Sequence, residues 1–163
     1  MMYFVPSLVV VCGLLMGGGA LAGDRVAGPV AARVLEVVDG DTLKVEAQIW
    51  PGHVVVTRVR LAGVDAPEEA RAKCDGERVR GVAARLFLTD AVGGGAVRLA
   101  DIRPGKFGGR VIASVRDAAG RDLSQLLIGQ GHGRAYHGAK RDTWCAGAQE
   151  TAFSRRPFPP SRD

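Results

Sequence analysis

The residue types best suited to chemistry lie in residues 59–68, where a predicted strand runs into an acidic turn. Arg60 lies on the strand, and Asp65 and Glu68 follow it at a corner stiffened by Pro67. Pro67 suits the first position of a helix, and Glu68 suits a first helical turn, whose free N–H groups favour anions. An arginine and two carboxylates held at one rigid corner can bind both a phosphate group and a metal ion.

A second acidic turn lies upstream, at Asp39 and Asp41. The Asp-Gly pair at position 39 is a strong signal for a tight hairpin, which does not need Asp41. We predict that Asp41 and Asp65 converge from adjacent strands and bind Ca²⁺ or Mg²⁺ with the main-chain carbonyl of Ala66, because hard oxygen donors suit these ions. The simpler alternative makes Asp65 a turn or cap residue and Glu68 an acid of a first helical turn.

Two arginines are candidates for phosphate binding: Arg60 in a strand, and Arg110 after a glycine-rich loop. A guanidinium group is a planar fork that stays charged and pairs with phosphate through two bonds, so two of them can stabilise a phosphoryl transition state. Lys106 and Phe107, in the loop, could contact a phosphate and stack on a base. The alternatives are surface salt bridges for the arginines, and a solvated lysine beside a packed aromatic ring.

The pattern of strands and turns predicts a small barrel around these residues. Alternating apolar residues and turn signals indicate five strands, at residues 33–38, 41–46, 54–64, 97–102 and 110–115. Helices are predicted at residues 75–92, 123–130 and from 144 to about 154, and the first should bury a face made of Val79, Val82, Ala83, Leu86 and Phe87. The predicted fold is α+β, mainly β: a five-stranded OB-type β-barrel with three helices.

Composition agrees with one folded, basic domain. The 163 residues are 47% hydrophobic and 24% charged, which excludes a disordered chain. The net charge of +5 and the pI of about 9.6 favour polyanions such as nucleic acid, although a mildly basic soluble protein would show the same values.

The first 22 residues carry no charged side chain and end in the small-residue pattern Ala20-Leu21-Ala22. They are predicted to be a signal peptide, with an uncleaved anchor as the alternative, and both would place the domain outside the cytoplasm, in the periplasm or secreted. The predicted division is a signal at residues 1–22, a lead-in at 23–31, the barrel domain at 32–154, and a tail containing proline and arginine at 155–163.

Cysteine and histidine placement argues against a zinc site. Cys12 leaves with the signal, and the remaining pair, Cys74 and Cys145, is expected to form a disulfide in an oxidising compartment, with two free thiols as the alternative. The three histidines show no ligand spacing and are predicted at the surface: His53, His132 and His137.

Three motifs together resemble the staphylococcal (thermonuclease-like) nuclease family. They are Val-Val-Asp-Gly-Asp-Thr at residues 37–42, Arg-Leu-Ala-Gly-Val-Asp-Ala-Pro-Glu at 60–68, and Lys-Phe-Gly-Gly-Arg-Val at 106–111. The resemblance covers residues 32–150, and the cysteines look like those of an exported bacterial branch. It implies an OB-barrel with three helices and calcium-dependent hydrolysis of DNA and RNA to 3′-phosphate products. Single strands should be preferred, because an unstacked base can enter a small pocket.

The resemblance also implies a role for each matching residue. Asp41 and Asp65 match the metal carboxylates, and Ala66 matches the main-chain metal ligand. Glu68 matches the general base. The remaining matches are the phosphate-binding arginines Arg60 and Arg110, and a nucleotide-contacting pair at Lys106 and Phe107.

The protein is expected to be a monomer. Two other functions are alternatives to the nuclease. The first is a catalytically inactive module that binds nucleic acid or protein on a nuclease scaffold. The presence of all five charged residues argues against it, since a binding module has no need of Glu68. The second is a structural protein of the cell envelope, for which no particular residue speaks.

Overall fold

The computed structural model describes residues 24–106 and 108–145. Phe107 and residues 146–154 of the predicted third helix lie outside these ranges. The elements are β1 Val30–Asp39, β2 Thr42–Trp50, β3 His53–Leu61, β4 Val64–Asp65, α1 Asp75–Val92, β5 Ala96–Pro104, β6 Arg110–Asp117, α2 Leu123–Gly129 and β7 Arg134–Ala135. Neither helix of the described ranges is long and apolar enough to cross a membrane.

Five strands close into a barrel in the order β1-β2-β3-β6-β5, with β5 returning to β1. All pairs are antiparallel except β3 with β6, which run parallel. The predicted meander of the first three strands and the predicted mainly β, OB-type barrel are therefore confirmed. The interior is apolar, and its fully buried side chains include Leu43, Val45, Val59, Leu61, Leu99 and Val115.

The third strand ends earlier than predicted, at Leu61 instead of position 64. Gly63 has a φ of +80°, a left-handed conformation that glycine adopts without strain, and it turns the chain out of the barrel. Val64 and Asp65 then form β4, which pairs with β7. Asp65 is thus moved from the barrel wall to its rim.

The helix predicted at residues 75–92 is confirmed as α1 Asp75–Val92. The chain between Asp65 and this helix is a loop, although Pro67 and Glu68 would suit a first helical turn. A buried glutamate, Glu77, holds the intervening loop: its carboxylate accepts hydrogen bonds from the backbone N–H groups of Glu68 (3.4 Å) and Lys73 (2.8 Å). Loop N–H groups that find a side-chain acceptor do not need a helix to satisfy them.

The buried face of α1 also differs from the predicted one. The helix buries Gly81, Ala84 and Leu88, whereas Val79 and Leu86 are 69% and 55% exposed. The reason is close approach: a Cβ added at Gly81 would lie 2.6 Å from the Glu68 carbonyl oxygen. The helix therefore packs through small residues directly onto the acidic loop, which apolar periodicity does not reveal.

This packing predicts that Gly81→Ala destabilises the protein by about 1–3 kcal/mol, although alanine is the better helix former. The neighbouring atoms are backbone atoms of the acidic loop and cannot simply rotate away. Gly129→Ala is the matched control, because a Cβ there meets nothing within 4 Å. Urea unfolding of both variants measures the difference, and equal stability would contradict the close packing.

Candidate active site

The centre of the site is an ion-paired triad of Asp41, Arg60 and Asp65. Asp41 directly precedes β2, Arg60 lies opposite Thr42 on β3, and Asp65 ends β4. Arg60 Nη2 lies 2.7 Å from Asp41 Oδ2 and 3.3 Å from Asp65 Oδ1, and its Nη1 donates to Asp41 Oδ1 at 3.1 Å. All three residues are at most 8% exposed. The structure thus brings together three of the residues predicted from scattered positions.

Local hydrogen bonds fix the Asp41 carboxylate. The Thr42 hydroxyl donates to its Oδ1 (2.9 Å), and the backbone N–H of Ala66 donates to its Oδ2 (3.4 Å). Burial raises the pKa of Asp41 above its usual range, and the nearby Arg60 opposes this shift. Ala66 therefore contacts the site through its N–H here, and the metal-binding role of its carbonyl stays a prediction.

Two site residues were missed from the sequence, Arg141 and Trp144. Arg141 Nε lies 2.9 Å from Asp65 Oδ1, and its Nη1 donates to Glu68 Oε1 at 3.1 Å. The Trp144 indole N–H donates to Asp65 Oδ2 at 3.1 Å. Trp144 was expected to begin a helix and instead lies in a bend. The sequence did contain a signal for Trp144. It directly precedes Cys145, and the predicted disulfide to Cys74 would bring it close to the acidic loop.

A disulfide holds this segment over the acids. Cys74, the N-cap residue of α1, is bonded to Cys145, with their Cα atoms 6.1 Å apart. The Arg134 guanidinium stacks over the Trp144 ring at 3.7 Å from its centroid. In the described part of the chain, Cys74, Glu77 and Cys145 are the one set of three Cys, His, Asp or Glu side chains whose ligand atoms all lie within 4.8 Å of one another. Its sulfurs are joined to each other, so they are not thiolate ligands.

Asp39 is an acidic neighbour of Glu68. The Asp39 carboxylate accepts the Gly40 N–H at 2.9 Å, as the hairpin reading requires. Burial is the main cause that raises the pKa of Asp39 from 3.8 to about 6. The Gly40 N–H opposes the shift, and the negative charges of Glu68 and Asp41 and a hydrogen bond with Glu68 add to it. Asp39 therefore belongs to the site as well as to the turn, as a group that titrates near neutral pH.

The raised pKa of Asp39 predicts a pH effect on stability in the metal-free chain. Stability from this group is fully present below about pH 4 and is lost as the pH rises through about 6, because the folded state keeps a proton that the unfolded state releases. With allowance for solvent screening of this half-buried group, the effect is about 1 kcal/mol. Chemical unfolding with chelator present should show Asp39→Asn gaining stability relative to the natural chain over that range. A constant difference would contradict it.

The triad lies in a cavity of about 1110 Å³ that also contains the remaining described candidates. Glu68, Lys106 and Arg110 all line it. The parallel pairing of β3 with β6 sets Arg110 beside Arg58, two residues from Arg60. Basic side chains outnumber acidic ones in the lining, with eight against six. The basic ones are Arg58, Arg60, Arg71, Lys73, Arg103, Lys106, Arg110 and Arg141, and the acidic ones are Asp39, Asp41, Asp65, Glu68, Glu77 and Asp142.

The donor chemistry of the triad fits a hard divalent cation. One guanidinium nitrogen contacts oxygens of both Asp41 and Asp65, so the two buried carboxylates converge on a shared positive charge. Carboxylate oxygens are the ligands that Ca²⁺ prefers.

The histidines are not part of the triad. His132 is half-buried and its ring stacks on Phe87, with the ring centroids 4.7 Å apart, which corrects its predicted surface position. His137 is exposed and lies at the edge of the cavity.

A comparison with protein families matches residues 58–156 to the model described as staphylococcal nuclease homologue, which is more than half of the chain. The matched range contains Arg60, Asp65, Glu68 and Arg110 and begins after Asp41. Asp41 therefore enters the site through its contacts with Arg60. No curated protein matches the chain significantly.

Proposed function

The chain belongs to the staphylococcal nuclease homologue family, and from this premise we propose that it is a calcium-dependent, sugar-non-specific nuclease. The observation that carries the proposal is the pair Asp41 and Asp65, buried together on Arg60 at the floor of a basic cavity. Acids at the floor bind a cation, and cations around the rim bind phosphates, as phosphodiester hydrolysis requires. The cavity is larger than one nucleotide needs, so neighbouring phosphates can reach the basic rim.

Each described residue has a part in the reaction. Asp41 and Asp65 would hold Ca²⁺, which when bound polarises a phosphoryl oxygen and neutralises its charge. Arg60 and Arg110 bind the scissile phosphate and stabilise the additional negative charge of the transition state. Glu68 accepts a proton from the attacking water, which approaches opposite the 5′ oxygen. The bond from phosphorus to that oxygen breaks, the oxygen takes a proton from solvent to become a 5′-hydroxyl, and the phosphate stays on the 3′ oxygen.

In the free protein, the acids are neutralised by the chain's own arginines. Arg60 pairs with Asp41 and Asp65, and Arg141 pairs with Asp65 and Glu68. Glu68 must exchange Arg141 for water to act as a base, and Arg60 must turn one or more N–H groups to phosphate. Every buried charge keeps a partner of opposite sign in these exchanges, because the metal cation pairs with the acids and the phosphate pairs with the arginines.

We extend the proposal to location and substrate. Residues 1–22 act as an export signal or anchor, and the domain at 32–154 works in the periplasm or outside the cell. The Cys74–Cys145 disulfide supports this location, because disulfides persist in oxidising compartments. The partners are DNA and RNA, with single strands preferred, and the protein acts as a monomer.

The test is cleavage of an end-labelled single-stranded oligonucleotide with Ca²⁺ or with chelator. We expect Glu68→Gln to lower the rate by about 10²–10⁴-fold, the usual contribution of a general base. Glu69→Gln is the matched control, because Glu69 is the adjacent acid and pairs with Arg85 at 2.6 Å away from the cavity lining. Calcium-independent binding of the oligonucleotide without cleavage would show the inactive module instead.

A further inference from the structure

The hairpin of β2 and β3 extends beyond the barrel. β1 pairs with β2 only as far as Ala47, and β6 pairs with β3 only from Arg58 onward. Residues 48–50 of β2 therefore pair only with β3, and residues 53–57 of β3 pair only with β2, among the described strands. A two-stranded projection with both outer edges open is exposed to solvent on every side.

The side chains of this projection are apolar. Five of them are exposed to between 42% and 70%: Ile49, Trp50, Val54, Val55 and Val56. Residues 47–57 include no aspartate, glutamate, lysine or arginine. Successive residues of β3 point to opposite faces, so Val55 lies on one face and Val54 and Val56 on the other. An apolar surface of this kind is rare on a soluble protein and marks a contact.

The other apolar segment of the chain joins the fold beside this hairpin. Asp24 and Val26, which follow the uncharged residues 1–22, line a surface cavity of about 340 Å³ together with Thr57 at the base of the hairpin. The chain that arrives from residues 1–22 and the apolar projection therefore share one side of the molecule. A single apolar environment can receive both.

We propose that the β2–β3 hairpin docks into the interface of a lipid bilayer, in the form of the chain that keeps residues 1–22 as an anchor. Both faces of the hairpin are apolar, which suits a medium that surrounds it better than a flat protein surface that covers one side. Trp50 lies at the tip, and tryptophan is enriched at the level of lipid headgroups. The open edges of the strands limit the depth, because their N–H and C=O groups need water or headgroups. This proposal does not rest on the nuclease activity.

The test uses the full chain in vesicles of phosphatidylcholine and phosphatidylglycerol, some with lipids brominated near the headgroup. The chain has two tryptophans, so Trp144→Phe leaves Trp50 as the reporter and Trp50→Phe leaves the buried Trp144. Brominated lipid should reduce Trp50 emission by about twofold or more, since headgroup-level tryptophan contacts those bromines. Trp144 emission should not change.

Paired variants, both made in the Trp144→Phe chain, separate the hairpin from the anchor. In the double variant Val54→Asp, Val56→Asp, Trp50 should be exposed to water, so acrylamide should quench its emission. The anchor at residues 1–22 is unchanged in this variant and should still bind the membrane. Val79→Asp is the matched control, because Val79 is equally apolar and 69% exposed but lies on α1. Trp50 that stays quenched by acrylamide and untouched by brominated lipid would overturn the proposal. So would shielding of Trp50 that grows with protein concentration without lipid, which would identify a second copy as the occupant.

Discussion

Replacing Arg60 with alanine should abolish detectable cleavage and also destabilise the fold. Removal of one transition-state donor costs about 10²–10³ in rate, and Arg60 also pairs with Asp41 and Asp65, the two carboxylates proposed to bind the metal ion. The substitution leaves Asp41 buried without its cation, and breaking a buried pair from one side costs about 3–5 kcal/mol. Cleavage rates with Ca²⁺ and urea unfolding at neutral pH measure the two effects.

Arg33→Ala is the control for Arg60→Ala. Arg33 is also a strand arginine with a carboxylate partner, Glu46 at 2.6 Å, but its side chain is 66% exposed. An exposed pair contributes about 0–1 kcal/mol, so this variant should unfold and cleave nearly as the natural chain does. Arg60→Lys separates charge from shape: the lysine keeps the charge but loses the planar fork, and should recover stability more than activity. Full activity in Arg60→Ala would contradict the role given to this residue.

Loss of the Cys74–Cys145 disulfide should destabilise the protein by about 4 kcal/mol. The bond spans 71 residues, and in the chain-entropy model a loop of this length gives a stabilisation of that size. Activity should fall as well, because Cys145 holds Trp144 in the position from which its indole N–H donates to Asp65. The double variant Cys74→Ser, Cys145→Ser, compared by chemical unfolding in a Cys12→Ser background, measures the effect without a third thiol.

A reductant provides the check on the disulfide prediction. Reduction of the Cys12→Ser chain should lower its stability to that of the double serine variant and leave the double variant unchanged. Identical stability of the oxidised and reduced chains would contradict the prediction. A stability loss without an activity loss would show that the segment at residues 141–145 does not position the acids.

Local sequence signals predicted the barrel and the proximity of Asp41, Arg60 and Asp65, because the relevant interactions are local or lie along strands. The Asp-Gly turn before Asp41 sets the β1–β2 hairpin, and apolar alternation sets the meander that brings Arg60 opposite Thr42. Once these strands are adjacent, Asp41 and Arg60 must lie close together. The pairing of Cys74 with Cys145 followed from the even number of cysteines and the expected compartment.

The features that escaped prediction depend on tertiary contacts. Arg141 reaches Glu68 across 73 residues, and no spacing rule links them. The buried face of α1 is defined by how closely Gly81 approaches the loop, whereas periodicity favoured the larger side chain of Val79. The glycine at position 63 looked like part of a continuous strand, and its positive φ is required only because Val64 and Asp65 pair with β7.

Calorimetric titration of Ca²⁺ into the natural chain and into Asp41→Asn tests directly whether Asp41 and Asp65 form a cation site. We predict that the natural chain binds a single Ca²⁺ at the site, and that Asp41→Asn binds it at least about tenfold more weakly, since one of the two buried carboxylates is lost. Cleavage of single-stranded DNA should fall with the same calcium dependence. Equal Ca²⁺ affinity in the two chains, or undiminished cleavage in chelator, would contradict a cation site built on Asp41 and Asp65.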